Sequence, residues 1–237
     1  MARTVVQIAA AAFAELGLPP LGQIAGVAAG DALQTMALLN REGVELSDIE
    51  GGWPALRGEQ LIALVIGQEA YNLPADLDYY RPSTIWDRTT HRRVSGPLSA
   101  QEWQAIRSGT TITAPWMRFR IMGGQLHIDP VPTVGDTIAI EYISTSWAAD
   151  ASGTPKSAFT ADTDVPLLPD DLFVLGLKWR LLAARGLSYA EERDVYDRAV
   201  ARRRPRQEVS EVLSLNRREN RFAAPCAGIA DGNWPGR

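Results

Sequence analysis

Three pairs of closely spaced acidic residues are the clearest candidates for chemistry in this sequence. The pairs are Asp76 with Asp78, Asp162 with Asp164, and Asp170 with Asp171. Paired carboxylates can cleave glycosidic bonds, one as general acid and the other as base or nucleophile, and carboxylate clusters can also bind calcium. The most suggestive pair, Asp162 and Asp164, lacks the later glycine and glutamate of an EF-hand loop. We therefore interpret it as part of a solvated loop.

The sequence offers little else for catalysis or metal binding. Two histidines, His91 and His127, and one cysteine, Cys226, are too few for a zinc site. Cys226 lies between Pro225 and Gly228 without a neighbouring base, so we interpret it as an incidental thiol. No phosphate-binding loop, dinucleotide fingerprint, nucleophile elbow or zinc-protease motif is present in the sequence. We therefore expect no enzyme activity, no cofactor and no metal.

Charge is distributed unevenly along the chain. Its net charge is −4 over 237 residues. Residues 202–237 contain eight arginines and four acidic residues, a net charge of +4, which leaves −8 on residues 1–201. An acidic body does not favour tight wrapping of nucleic acid, because phosphate binding requires clustered cations. The apolar runs fall short of the roughly 18 residues of a membrane span, so no transmembrane helix is expected.

Capping signals and periodicity predict helices at both ends of the chain. The first 17 residues have the outline of a signal peptide, but Thr4 and Gln7 form a capping box, which favours a retained helix from Thr4 to Leu16. A second helix is predicted from Gly30 or Asp31 to Arg41, ended by Gly43. Ser99 and Glu102 form another capping box, and two late helices are predicted from Asp170 to Arg185 and from Ser188 to Arg204, where Pro205 stops the last one.

The middle of the chain carries strand signals. The apolar run Leu61 to Ile66 predicts a buried strand. Gly123 and Gly124 predict a tight hairpin turn in which Ile121 pairs with Leu126 and Arg118 with Asp129. Residues 145–169 are predicted to form a long loop, and residues 206–237 hold too few apolar anchors to fold alone.

This order of elements predicts an α+β fold. We expect a helical bundle built from the N- and C-terminal helices, residues 1–58 and 166–205. An inserted, mainly antiparallel β domain would occupy residues 59–165, and residues 206–237 would form an extended C-terminal tail. Two tryptophans in predicted loops, Trp147 and Trp234, are candidate interface residues because tryptophan is enriched at binding hot spots.

The layout resembles the head-to-tail adaptor proteins of short-tailed bacteriophages, also called connector, DNA-stabilisation or tail accessory proteins. The resemblance lies in the order of its pieces and covers residues 1 to about 204. Those pieces are TVVQIAAAAFAELGL, DALQTMALLN, Gly52-Trp53, Tyr71-Asn-Leu-Pro74, Arg81-Pro82, the helix start at Ser99 to Trp103, GGQLHIDPVP at 123–132 and FTADTDVPLLPDDL at 159–172.

The resemblance implies a structural virion protein at the head–tail junction, assembled in the host cytoplasm. Such a protein forms a homo-oligomeric ring, expected to be dodecameric, beneath the portal protein, and it extends the DNA channel and retains packaged DNA. It also provides the attachment site for a tail or nozzle protein. The basic C-terminal tail would dock on the portal, while the acidic body would let double-stranded DNA pass without gripping it. The candidate docking residues are Arg202, Arg203, Arg204, Arg206, Arg217, Arg218, Arg221, Phe222 and Trp234.

Two other interpretations remain open from the sequence. A glycan-cleaving hydrolase would have a pocket with two carboxylates about 5 to 9 Å apart, one of them with a raised pKa. Another virion ring protein, a stopper or tail-tube component, would share the exposed apolar surfaces of an adaptor. An adaptor should expose such patches on two different sides, because copies in a ring meet through unlike faces.

Overall fold

The computed structural model describes residues 3–49, 52–81, 84–109 and 116–207, with side chains described as far as Arg203. The helices in these ranges are α1 (Val5–Glu15), α2 (Gly30–Ser47), a 3-10 turn (Pro54–Leu56), α3 (Ala100–Arg107), α4 (Asp170–Ala184) and α5 (Ala190–Gln207). The strands are β1 (Arg57–Ala63), β2 (Ala70–Asn72), β3 (Leu77–Tyr80), β4 (Trp86–Asp87), β5 (Arg92–Arg93), β6 (Arg118–Met122), β7 (Gln125–Asp129), β8 (Thr137–Ser144), β9 (Ala148–Ala149), β10 (Pro155–Lys156) and β11 (Val165–Pro166). None of the described helices is both long and apolar enough to span a bilayer.

The mixture of helices and antiparallel sheets confirms the α+β prediction. Helices α1, α2 and α5 all pack against α4, whose Leu172, Phe173 and Leu177 are buried. A second apolar cluster lies among the strands, around Phe119 and Ile138. Helices α1, α2, α4 and α5 therefore share one core, and most of the strands share another.

Strand β8 organises the largest sheet. It pairs antiparallel with β1, β3 and β4, and β5 extends the sheet beyond β4. Ile138 and Ile140 of β8 belong to the β core, and Ala139 between them is buried as well, because β8 lies in the interior of the sheet. A smaller sheet has the order β2-β7-β6, and the short strands β10, β9 and β11 form a third.

The predicted hairpin has the predicted register. Arg118 lies opposite Asp129 and Ile121 opposite Leu126. Gly123 and Gly124 have φ angles of +57° and +75°, which a tight turn of this kind requires at both positions. The capping boxes of α1 and α3 are also formed, at Thr4 and Ser99.

Three sequence predictions of element boundaries are wrong. Helix α2 continues through Gly43 to Ser47, and α5 continues past Pro205 to Gln207. The run Leu61 to Ile66 is not a strand buried on both faces: β1 ends at Ala63 and covers the β core with one face only, so Leu61 is 61% exposed while Ile62 is buried. Whether the second face of a strand is covered depends on distant parts of the chain, and an apolar run does not reveal it.

A glycine occupies position 43 of α2 because the indole of Trp147 packs directly against the helix backbone there. A Cβ atom at this position would lie 2.3 Å from the indole of Trp147, which is itself buried. A glycine within a helix costs about 1 kcal/mol relative to alanine, so packing of the indole must compensate for that loss.

We predict that Gly43→Ala lowers the free energy of unfolding by about 1 to 2 kcal/mol, because the overpacking cost exceeds the helix-propensity gain. Gly30→Ala in the same helix is the matched control: a Cβ there meets nothing within 4 Å, and stability should stay equal or rise. Urea unfolding followed by tryptophan fluorescence measures both variants. Equal stabilisation by both would contradict the packing argument.

Candidate functional site

The arginine-rich end of α5 is the part of the predicted docking segment that the structure describes. Ala199 is buried against α4, and Tyr196 and Val200 pack on the same core. The helix begins with Glu191 and Glu192 and ends with arginines, an order that suits the helix dipole. Its last turns are thus both positively charged and held against the body of the subunit.

Arg202 and Arg203 have different roles at this end. Arg203 binds Asp171 in the first turn of α4, with Nε 3.2 Å from the carboxylate, and both side chains are about 40% exposed. Arg202 donates from Nε to the carbonyl of Arg198 and has no carboxylate partner among the described side chains. Arg203 therefore forms a partly exposed ion pair within the subunit, whereas the Arg202 side chain is exposed.

The start of α4 brings both ends of the described chain together. Arg3 lies 3.6 Å from Asp170, beside the Arg203 contact with Asp171. The backbone amide of Val5 donates to the carbonyl of Asp164, just before α4. Arg203, near the end of α5, therefore lies close to the residues that precede α1.

The other seven docking candidates lie beyond the described side chains. Arg204 and Arg206 lie in the last turn of α5, beyond the described side chains. A further five lie outside the described residues altogether: Arg217, Arg218, Arg221, Phe222 and Trp234.

Trp147, predicted as an interface residue, is instead a core residue. It is 1% exposed and packs against Phe159 and Phe173, with ring centroids 4.7 and 5.8 Å away. The segment around it was predicted to be a long loop, but it forms strand β9 and folds onto the helices. The interface prediction for Trp147 is wrong because its ring fills the space above Gly43.

A buried ionic cluster that the sequence analysis missed joins three helices. Arg180 of α4 is 4% exposed and donates from Nε to Glu42 of α2 at 2.7 Å, and it also binds Glu45 at 2.6 Å. Burial raises the pKa of Glu42, although the Tyr196 hydroxyl and Arg180 act in the opposite direction. The Arg180 guanidinium holds the pKa of Glu45 below its usual value. Because Tyr196 belongs to α5, the cluster fixes α5 as well as α2.

A second cation of α4 reinforces this arrangement. Lys178 binds Glu15 of α1 at 2.8 Å and Glu192 of α5 at 3.0 Å. Burial would lower the pKa of Lys178, but the two carboxylates outweigh that effect and raise it. The sequence does contain a signal for both clusters: Lys178 and Arg180 lie two residues apart in a stretch of α4 that is otherwise apolar.

The most suggestive acidic pair of the sequence, Asp162 and Asp164, is occupied by structural contacts. Asp162 accepts from the amides of Ile24 and Ala25 at 3.0 and 2.7 Å. Asp164 is fully buried and accepts from Lys156 and from the Thr160 and Ala161 amides. Within the described ranges no group of three or more potential ligands could hold a metal ion.

One other carboxylate pair lines a cavity of about 400 Å³ at the edge of the large sheet. Burial, followed by the charge of Asp87, raises the pKa of Asp136. Asp87 is nevertheless committed to its own turn, where it accepts from the amides of Thr89 and Thr90 and from the Thr90 hydroxyl. A carboxylate held in this way is poorly placed to act on a substrate.

A comparison with protein families decides among the possible classes. The sequence model for the SU10 adaptor protein matches residues 6–227, nearly the whole chain. The chain belongs to the SU10 adaptor protein family. The predicted resemblance to phage head-to-tail adaptors is thus confirmed, and the protein is a structural component of a phage virion.

The match to the adaptor family extends beyond the residues that the structure describes. It continues for twenty residues after Gln207, the last residue of α5. The family pattern therefore includes part of the basic segment as well as the helices and sheets. No curated protein matches this adaptor.

We predict that Arg180→Met lowers the adaptor's free energy of unfolding by about 3 to 5 kcal/mol, because Glu42 is left buried without its cation. Arg185→Met is the matched control on the same helix. Arg185 is 35% exposed and lies 4.0 Å from Asp31, so its loss should cost less than about 1 kcal/mol. Urea unfolding measures both.

The double variant Glu42→Gln/Arg180→Met should be more stable than Arg180→Met alone, because it no longer buries an unpaired charge. If Arg180→Met unfolds at the wild-type urea concentration, the cluster does not hold the helices together.

We predict that Asp164→Asn destabilises the adaptor at pH 7 and that the deficit shrinks in acid. Burial acts to raise the pKa of Asp164, but bonds from Lys156, Thr160 and Ala161 outweigh it and lower the pKa below 3.8. Its stabilisation is therefore fully present above the unfolded pKa and is lost as pH falls through the lower folded value. Urea midpoints at pH 7 and near pH 2 test this.

Asp78→Asn, at an exposed position, is the control and should change stability by less than about 0.5 kcal/mol at either pH. A deficit in Asp164→Asn that stays constant down to pH 2 would refute the assignment.

Proposed function

We propose that this adaptor forms a ring of identical subunits beneath the portal protein and continues the DNA channel towards the tail. The single observation that carries the proposal is the family match, which spans both the folded body and part of the basic segment after α5. The ring would be dodecameric and located at the head–tail junction. It would retain packaged DNA and offer its lower face to a tail or nozzle protein.

The geometry at the end of α5 supports a docking role for the C-terminal segment. The Arg180 and Lys178 clusters fix α5 on the body, so the direction in which the chain leaves the subunit is also fixed. Arg202, which has no carboxylate partner among the described side chains, adds a positive charge at that point. We propose that residues 208–237, which follow α5, extend from here onto the portal and become ordered by binding an acidic surface.

The charge of the body fits a channel for DNA. Residues 1–201 carry a net charge of −8, and several carboxylates, such as Asp48 and Asp78, are exposed. A negatively charged lumen repels phosphates and lets the duplex slide. The α1, α2, α4 and α5 layer would form the helical bundle of the ring, with the β region as an inserted domain.

The hydrolase interpretation has one observation in its favour, the raised pKa of Asp136 beside Asp87. Hydrolysis requires a second carboxylate that is available to the substrate, whereas Asp87 accepts several bonds from its own turn. The family match instead favours a structural role.

We predict that deleting residues 208–237 abolishes binding to the cognate portal ring while the subunit stays folded. The deletion removes five of the nine docking candidates, namely Arg217, Arg218, Arg221, Phe222 and Trp234. It keeps all of α5, so the thermal midpoint should stay close to that of the full chain. Co-purification with tagged portal and electron microscopy of the product measure the joining.

In the full chain, Arg202→Glu should weaken portal binding by about tenfold or more, as expected when an attractive contact becomes repulsive. Arg193→Glu, at the other end of the same helix, is the matched control and should bind as the wild type does. Unchanged portal binding by the truncated chain would show that the tail does not dock.

A further inference from the structure

Five large apolar side chains are exposed together at one end of the β region. They belong to the turn after β1 and to the segments before β6 and β8. The Gly67 amide donates to the carbonyl of Pro132 at 3.0 Å, which joins the first turn to the loop before β8. This surface, the sheet-end patch, consists of Val65, Ile66, Trp116, Val131 and Val134, exposed by 55, 68, 50, 38 and 57% respectively.

The sheet-end patch has the character of a protein-binding surface. Trp116, Val131 and Val134 line the cavity of about 400 Å³, so the patch is concave. The guanidinium of Arg92 stacks over Trp116 at 4.5 Å from the ring centroid. Clustered exposed apolar residues mark interaction sites, and tryptophan and arginine are the residues most enriched at binding hot spots.

The charge at the rim of the patch is positive. Arg92 has no carboxylate partner among the described side chains, and His91 beside it is exposed. A nucleic acid is a poorer fit than a protein, because the patch is apolar and its cavity also contains Asp87 and Asp136. The patch therefore suits an apolar protein surface with an acidic rim.

The turn between α4 and α5 carries a surface of that description. Leu187 and Tyr189 are 53 and 39% exposed. Glu191 and Asp194 follow in the first turn of α5, and neither carboxylate has a cation partner within the described ranges. This second surface, the turn patch, consists of Leu187, Tyr189, Glu191 and Asp194.

The two patches lie in different parts of the subunit. Strand β1 begins at Arg57, opposite Ile143 in the helix core, and ends at Ala63, next to the sheet-end patch. Seven strand residues separate that patch from the helices by about 20 Å. A subunit with two unlike, complementary patches in separate places can bind copies of itself head to tail, which closes into a ring when the rotation allows.

We propose that the sheet-end patch of one subunit binds the turn patch of its neighbour. This inference rests on the proposed ring and specifies the contact that builds it. The apolar residues would pack together at the centre, and Arg92 would meet Glu191 or Asp194 at the rim. Each subunit thus carries both surfaces of the contact, the sheet-end patch and the turn patch.

Two variants that each block one patch test the pairing. Val134→Asp blocks the sheet-end patch and Leu187→Asp blocks the turn patch, and both positions are more than half exposed, so the subunit should still fold. Each variant alone should form no ring under conditions in which the wild type does, and without portal it should remain a single chain. A 1:1 mixture should form two-chain complexes and nothing larger, because one intact patch of each kind remains. Native mass spectrometry measures the species.

Val44→Asp is the control, since Val44 is 55% exposed on α2 and belongs to neither patch; it should assemble like the wild type. Rings formed by Val134→Asp or Leu187→Asp would overturn the inference and leave the proposed ring intact. A mixture that stays monomeric, or a Val44→Asp control that fails to assemble, would also overturn it. A wild-type chain that never assembles, even with portal, would refute the proposed function itself.

Discussion

The ionic cluster around Arg180 is the constraint on which the arrangement of the helices depends. One buried guanidinium binds Glu42 and Glu45 of α2, and Tyr196 of α5 lies against Glu42. A buried charge is costly unless it is paired, so the cluster favours the arrangement of the three helices that brings these groups together. It thereby helps a helix as polar as α5 to keep its position with little apolar surface.

The acidic residues serve this adaptor through structure and charge rather than through chemistry. Asp162 and Asp164 hold loop amides, and Asp170 and Asp171 bind Arg3 and Arg203 at the start of α4. The exposed carboxylates give the body a negative charge, while the arginines are concentrated after residue 201. We propose that one chain thus combines a surface that repels DNA with a segment that attracts an acidic partner.

The sequence revealed those features that depend on near neighbours along the chain. The capping boxes at Thr4 and Ser99 and the hairpin register at Gly123 were predicted correctly because each is decided within a few residues. The helical course of α2 through Gly43 was not predicted, because it depends on Trp147, about a hundred residues later. Trp147 was wrongly predicted to be an interface residue for the same reason, since its packing partners are distant in the sequence. Of the docking candidates, the structure describes the side chains of Arg202 and Arg203, and only Arg203 has a carboxylate partner in the fold.

The central claim is that the segment after α5 gains its order from another ring. Hydrogen–deuterium exchange of residues 208–237, measured in the isolated subunit and in the complex with portal, tests it most directly. The account predicts rapid amide exchange in the isolated subunit and strong protection in the complex, with exchange in α4 unchanged. Strong protection already present in the isolated subunit, or none in the complex, would contradict it.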